Sequence, residues 1–201
     1  MSEYQFTKDW FAWAPQVWEQ LIPMLPGEAG SREFLEIGSF EGRSAVWIVE
    51  NMMQDGDILG CIDTWEGGEE HGEEDMGTVE ERFDHNIAIL RAKYPERFID
   101  QYKDKSTVAL AEIMHENRSP IFEFIYIDGS HIAKDVLTDA CMAWPLLKPN
   151  GVMVFDDYLW GNPRDVLHRP KAAIDAFTTL FAEELEIIHV GYQAVVRKKG
   201  E

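Results

Sequence analysis

The sequence predicts an α/β fold: a doubly wound, mostly parallel sheet with helices on both faces. Three observations carry that prediction. Short β-rich runs alternate with longer amphipathic stretches along most of the chain. The runs are almost wholly apolar, as strands covered on both faces must be. The last two runs are joined only by Gly191-Tyr192-Gln193. A parallel crossover needs a dozen or more residues, so this final pair must form an antiparallel hairpin.

The elements follow in order. An N-terminal helix is expected from about Asp9 to Leu25, with Asp9 as its cap and Trp10, Trp13, Val17, Leu21 and Leu25 at helical spacing. Residues 1–30 thus read as a helical cap. Strand-like runs lie at Glu33–Ile37, Asp57–Ile62, Phe98–Lys103, Phe122–Ile127 and Gly151–Phe155, and the closing pair at Glu186–Val190 and Ala194–Lys198. Helical patterns cover Arg43–Gln54, Thr78–Tyr94, Ser106–Asn117, Ile132–Leu147 and Pro170–Leu185. No repeat or linker divides the 201 residues, which read as a single domain. One segment breaks the rhythm: residues 66–86 hold nine acids and a single base, Arg82. Its glycine-punctuated part, 66–77, fits either a solvated loop or a lid over the carboxyl ends of the strands.

Composition narrows the partners. Hydrophobic residues make up 45% and acids outnumber bases 37 to 18, for a formal charge of −19. Such a surface repels phosphate backbones and anionic lipid, which argues against nucleic-acid and membrane partners. No apolar run approaches a membrane span, and the first residues lack the pattern of a signal peptide, so a cytoplasmic location is expected. Cys61 and Cys141 form neither a disulfide framework nor a zinc motif. The tryptophan-rich N-terminal helix can pack on a second copy in a homo-oligomer as readily as on its own sheet.

Two turns carry ligand-binding signals. The first strand runs directly into Glu36-Ile37-Gly38-Ser39-Phe40-Glu41-Gly42-Arg43-Ser44 and then a helix. A glycine-bearing strand-to-helix turn lets a ligand approach the backbone. A dinucleotide fingerprint would place glycine at 38, 40 and 43, but Phe40 and Arg43 occupy two of those positions. That disfavours the nicotinamide oxidoreductase that is otherwise the rival enzyme reading. The second strand ends Ile62-Asp63-Thr64-Trp65, where a carboxylate can grip a ribose diol. Asp63 also fits a plain cap, and Trp65 either stacks on a ring or covers the core edge.

The fourth and fifth strands end in Asp128-Gly129-Ser130-His131 and Asp156-Asp157. Neighbouring parallel strands deliver their carboxyl ends to one edge, so these side chains converge there. Clustered carboxylates repel one another unless some are protonated or a hard cation such as Mg²⁺ sits between them. Asp156-Asp157 also fits a turn pair, and Asp128 a helix cap. His131 is the candidate base for an oxygen nucleophile, with a pKa naturally near working pH. Residues 158–169, with Tyr158, Trp160, Asn162, Arg164, His168 and Arg169, suit an acceptor pocket.

Taken together, Glu-Ile-Gly-Ser-Phe-Glu-Gly-Arg-Ser, Ile-Asp-Thr-Trp-Glu-Gly, Tyr-Ile-Asp-Gly-Ser-His and Phe-Asp-Asp-Tyr, in this order over about residues 33–160, resemble the class I S-adenosylmethionine-dependent methyltransferases. The chain is most similar to the small sugar O-methyltransferases of the macrocin type. The resemblance implies a Rossmann-like seven-stranded sheet with a final antiparallel strand. It implies S-adenosylmethionine contacts at Glu36, Gly38, Ser39, Phe40, Gly42, Asp63, Thr64, Trp65 and Asp128, and an adenine pocket near Lys105 and Ser106. Asp128, Asp156 and Asp157 would hold a divalent cation, and His131, with Asp128, would act on a hydroxyl of a sugar or glycosylated small molecule. Phe40 departs from the glycine common at that position. A non-catalytic S-adenosylmethionine-binding module is the remaining alternative; it would keep the Gly38 turn without needing the three aspartates together.

Overall fold

The computed structural model describes residues 3–68, 72 and 75–200. Seven strands form one sheet in the order β3-β2-β1-β4-β5-β7-β6. They are β1 (Glu33–Ile37), β2 (Ile58–Asp63), β3 (Phe98–Lys103), β4 (Phe122–Ile127), β5 (Leu147–Phe155), β6 (Leu185–Val190) and β7 (Ala194–Lys198). β7 lies antiparallel between β5 and β6; its pairing with β6 is the hairpin the three-residue connection requires. The remaining pairs are parallel.

Helices cover both faces, and the strands sort their side chains between them with a period of two. Phe34, Leu59, Cys61, Phe124, Tyr126, Val152 and Val154 enter one core cluster. That cluster also takes Trp18, together with α2 (Arg43–Trp47) and α3 (Met76–Lys93). Leu35, Ile37, Ile62, Ile125, Ile127, Met153 and Phe155 enter the other, against α4 (Ser106–Glu116), α5 (Ala133–Ala143) and α6 (Lys171–Leu180). Burial on both sides explains why the central strands, β4 above all, read as nearly continuous apolar runs, while the edge strands β3 and β6 are more exposed.

The N-terminal segment departs from the expected helix. Only Pro15–Trp18 is α-helical (α1), followed by a 3₁₀ turn at Ile22–Met24. Pro15 and Pro23 supply no amide hydrogen for a continuous ladder and hold the segment to short turns. Asp9 does not cap a helix; its carboxylate pairs with Arg43 at 3.2 Å. α2 also ends early, running into a π turn at Ile48–Met52 where one longer helix was expected. Among the described residues, no helix is long and apolar enough to cross a membrane. Of the acidic stretch 66–77, residues 69–71, 73 and 74 lie outside the described residues.

Candidate active site

The parallel register decides where the site lies. Ile37 pairs with Ile62 on one side and with Ile127 on the other, and Ile127 pairs with Phe155. The next residue along each strand therefore falls in one row: Gly38, Asp63, Asp128 and Asp156. Three amide bonds extend the ladder by one step, from Gly38 N to Ile62 O (2.8 Å), Asp128 N to Ile37 O (2.8 Å) and Asp156 N to Ile127 O (3.0 Å). Above this row opens a cavity of about 1070 Å³, which also reaches Lys105, Ser106, His131, Asp157 and the N-terminal residues Lys8–Phe11 and Trp13.

Glycine at 38 is dictated twice. Its φ is +87°, and a Cβ there would stand 2.0 Å from the Asp128 carbonyl oxygen. The turn then continues through Phe40 and Gly42, also at positive φ. Asp63 pins it: Oδ2 accepts from the amides of Ser39 and Phe40, each at 2.9 Å, and Oδ1 from the amide of Trp65 at 2.8 Å. Most of this carboxylate's accepting capacity therefore serves the backbone, although Asp63 and Thr64 both reach the cavity.

Trp65 faces inward. Its indole packs on Phe83 at 4.7 Å and donates to the Phe40 carbonyl at 2.9 Å, so it braces the turn from behind. Glu36 is fully buried beneath the turn, where it accepts a hydrogen bond from Ser44, and burial pushes its carboxyl up to about 7. Neither side chain lines the cavity, and Gly42 serves as the left-handed residue that opens α2. Ser39, Phe40, Lys105, Ser106 and Asp128 do line it.

The chemical end gathers acids. The Tyr126 hydroxyl meets Asp128 Oδ2 at 2.8 Å and also contacts Asp156 Oδ2, so one hydroxyl hydrogen serves two carboxylates. Burial, then repulsion from Asp156 and Asp157, holds the Asp128 carboxyl well above its ordinary range. Burial and the Asp157 charge raise Asp156 to about 6. Asp157 adopts φ +56°, which turns it away from its neighbour and towards His131, whose Nε2 lies 2.7 Å from Asp157 Oδ2. One potential ligand atom from each of Asp128, His131 and Asp157 falls within 4.8 Å of the others. Asp156, grouped from sequence with the other two aspartates, faces Tyr126 and accepts from the Asp157 amide at 2.7 Å. Two carboxylates and an imidazole crowded this closely fit a divalent cation.

Several residues were not singled out from sequence. Tyr126 had a signal: two positions before Asp128 on a strand, it shares that residue's side. Asp139 had one too, as an acid in the apolar stripe of Val136, Ala140 and Ala143. It accepts from Ser106 Oγ at 2.6 Å, and burial raises it to about 6. Tyr192, in the turn between β6 and β7, meets Trp13 edge-on at 5.0 Å. Trp160, by contrast, was expected from sequence to shape an acceptor pocket, and it lies over His131 at 4.4 Å.

A family model described as a methyltransferase domain matches residues 35–158. No curated protein matches the chain by sequence. Among solved structures, the chain is similar to the O-methyltransferase TomG of Streptomyces achromogenes, involved in tomaymycin synthesis and in complex with SAM (19% identity, TM-score 0.67, 93% of this chain and 81% of that one). It is also similar to an O-methyltransferase of Bacillus cereus in complex with SAH (16%, TM-score 0.63, 98% and 84%). A third is the MycE methyltransferase of the mycinamycin biosynthetic pathway, in complex with Mg and SAH (17%, TM-score 0.56, 97% and 51%). At these identities the likeness speaks for the fold.

Proposed function

Because the chain belongs to the methyltransferase domain family, whose class I members draw on S-adenosylmethionine, we propose that it methylates a hydroxyl oxygen of a sugar or glycosylated small molecule, with a divalent cation at the acidic end of its cavity. The observation that carries this reading is the row Gly38, Asp63, Asp128 and Asp156 at one sheet edge, with the His131–Asp157 pair above it. Gly38 and its turn receive the cofactor, with Lys105 and Ser106 at the adenine end. Asp63 spends its remaining lone-pair capacity on the ribose.

Methyl transfer from a sulfonium needs an oxygen held in line and relieved of its proton. Asp157 orients the His131 ring through the 2.7 Å contact, and His131 takes the hydroxyl proton. Asp128 and Asp157 would hold the cation, which supplies charge that lowers the hydroxyl's pKa. Asp156 fixes Tyr126 and the turn. A nitrogen serving as cation ligand takes no proton, so pH dependence separates the two roles open to His131. The aromatic faces of Trp13, Trp160 and Tyr192 offer apolar surface suited to the C–H face of a sugar ring. MycE has also been crystallised with Mg, SAH and mycinamycin VI, which favours the same class of acceptor here.

The test is methyl transfer from S-adenosylmethionine to a panel of sugars and glycosides, followed by release of S-adenosylhomocysteine, with and without EDTA. Turnover that EDTA abolishes and Mg²⁺ restores is expected; full turnover in excess EDTA would remove the cation from the mechanism. His131→Ala should slow turnover roughly 10²–10⁴-fold, with the loss shrinking as pH rises. A loss independent of pH would count against the base.

A further inference from the structure

The N-terminal segment reaches the cavity by a route that the cofactor turn itself provides. Glu41, between Phe40 and Gly42, is 2% exposed, and its carboxylate meets the N-terminal segment at Thr7. Oε2 accepts from the Thr7 amide at 2.6 Å and Oε1 from the Thr7 hydroxyl at 2.7 Å, while Arg82 of α3 neutralises it at 2.5 Å. Asn86, one turn further along α3 and fully buried, repeats the tie. It exchanges bonds with the backbone of Gln5 at 2.7 and 2.9 Å and donates to the Glu41 carbonyl at 2.8 Å. Asp9 adds the ion pair to Arg43. Residues 5–9 are thus tied by polar groups to residues 41–43.

Just beyond the tie, Trp10 stands over the Phe40 ring at 5.1 Å and lines the cavity with 58% of its surface exposed. An indole so exposed is fixed little by its own burial; its place is set by the chain on either side, the tie at residues 5–9 before it and the buried Phe11 after it. We propose that Glu41 is a positioning residue for the cofactor: it latches residues 5–9 across the Gly38 turn and thereby sets Trp10 and Phe40 as one wall of the cofactor pocket. This rests on the cofactor reading given above.

Two measurements on the full chain test it. Hydrogen exchange of the ligand-free protein reads the latch alone: Glu41→Gln and Thr7→Val should speed exchange at residues 5–10 while β4 and β5 stay protected. Thr7→Val sits on the strap itself and leaves the turn intact, so it reports even where a Glu41 variant folds poorly. Calorimetric titration with S-adenosylhomocysteine reads the positioning: Glu41→Gln should weaken binding about tenfold and Thr7→Val about threefold, the scale of one lost charged and one lost neutral hydrogen bond. In a Trp10→Ala background Glu41→Gln should add little, because the wall it positions is gone. Unchanged exchange at residues 5–10 would overturn the latch. Faster exchange with unchanged affinity, or equal losses with and without Trp10, would overturn the positioning role. If the unmodified protein binds no S-adenosylhomocysteine, the cofactor reading fails and the positioning role with it.

Discussion

The two ends of the sheet bury acids in opposite ways. At the amino ends of the strands, Asp57 is fully buried and every contact is a donor: the amides of Gly30, Arg32 and Gln54 at 2.7–2.9 Å and the Arg32 guanidinium at 2.9 Å. Glu123, 1% exposed, accepts from the Glu33 amide at 2.7 Å and pairs with Lys148 at 2.6 Å. At the carboxyl ends, Asp128 and Asp156 share one tyrosine hydroxyl and face Asp157. One end surrounds its acids with amide donors and cations, whereas the other sets acid beside acid. Acids of the first kind are held by the fold, and acids of the second kind cost it stability, as strongly perturbed groups at functional sites do.

Substitutions can break this contrast. The largest effect is expected for Asp57→Ala, which strands the buried Arg32 and should cost about 4 kcal/mol in urea unfolding; a loss under about 1 kcal/mol would remove the distinction. Asp128→Asn should do the reverse, lowering methyl transfer roughly 10³-fold while leaving the unfolding midpoint unchanged or higher, because a like-charge contact disappears. A smaller effect is a pH slope. The Asp156 carboxyl rises from 3.8 to about 6 in the folded protein, so the folded state binds its proton more tightly than the unfolded chain. Stability from this group is present below about pH 4 and is lost as pH rises through about 6, on the order of 3 kcal/mol in all. Subtracting the stability curve of Asp156→Asn from that of the unmodified protein should isolate this fall, and a difference that rises with pH would reverse the assignment. The smallest effect is expected for Lys148→Met, about 1 kcal/mol by thermal unfolding, since Lys148 is 32% exposed and partly screened.

Much of this was legible in the sequence, for reasons specific to each element. β1, β3, β4 and β7 begin and end where their β-rich runs do; in β4 burial on both faces keeps the run almost wholly apolar, whereas the exposed edge strand β3 carries Asp100, Gln101 and Lys103. The antiparallel pairing of β6 with β7 followed from the length of one connection, although the insertion of β7 beside β5 did not. The N-terminal segment misled because its aromatic spacing has two causes: Trp18 enters the core, whereas Trp10 and Trp13 face the cavity, and two prolines prevent the helix that the spacing suggests. Adjacency likewise could not tell Asp156 from Asp157. A left-handed backbone at Asp157 sends the two side chains to different partners, and nothing in a pair of aspartates announces that conformation. Asp63 reads as a ligand residue in sequence, yet three backbone amides claim it first. Asp63→Ala should therefore lower the stability of the ligand-free protein as well as its affinity for S-adenosylhomocysteine.

The insertion of β7 also bears on how the molecule assembles. Trp18, in the first helix, donates its indole hydrogen to Gln193 at 2.8 Å, a contact spanning 175 residues. β5, moreover, gains its second neighbour only from Ala194–Lys198. Closing loops of that span is slow, and the sheet stays exposed along β5 until Ala194–Lys198 has joined it. During synthesis the earlier strands can pair, but Tyr192 and Gln193 cannot take their places beside Trp13 and Trp18. The wall of the cavity on that side therefore forms only once the hairpin between β6 and β7 has closed, long after the strands beneath it can pair.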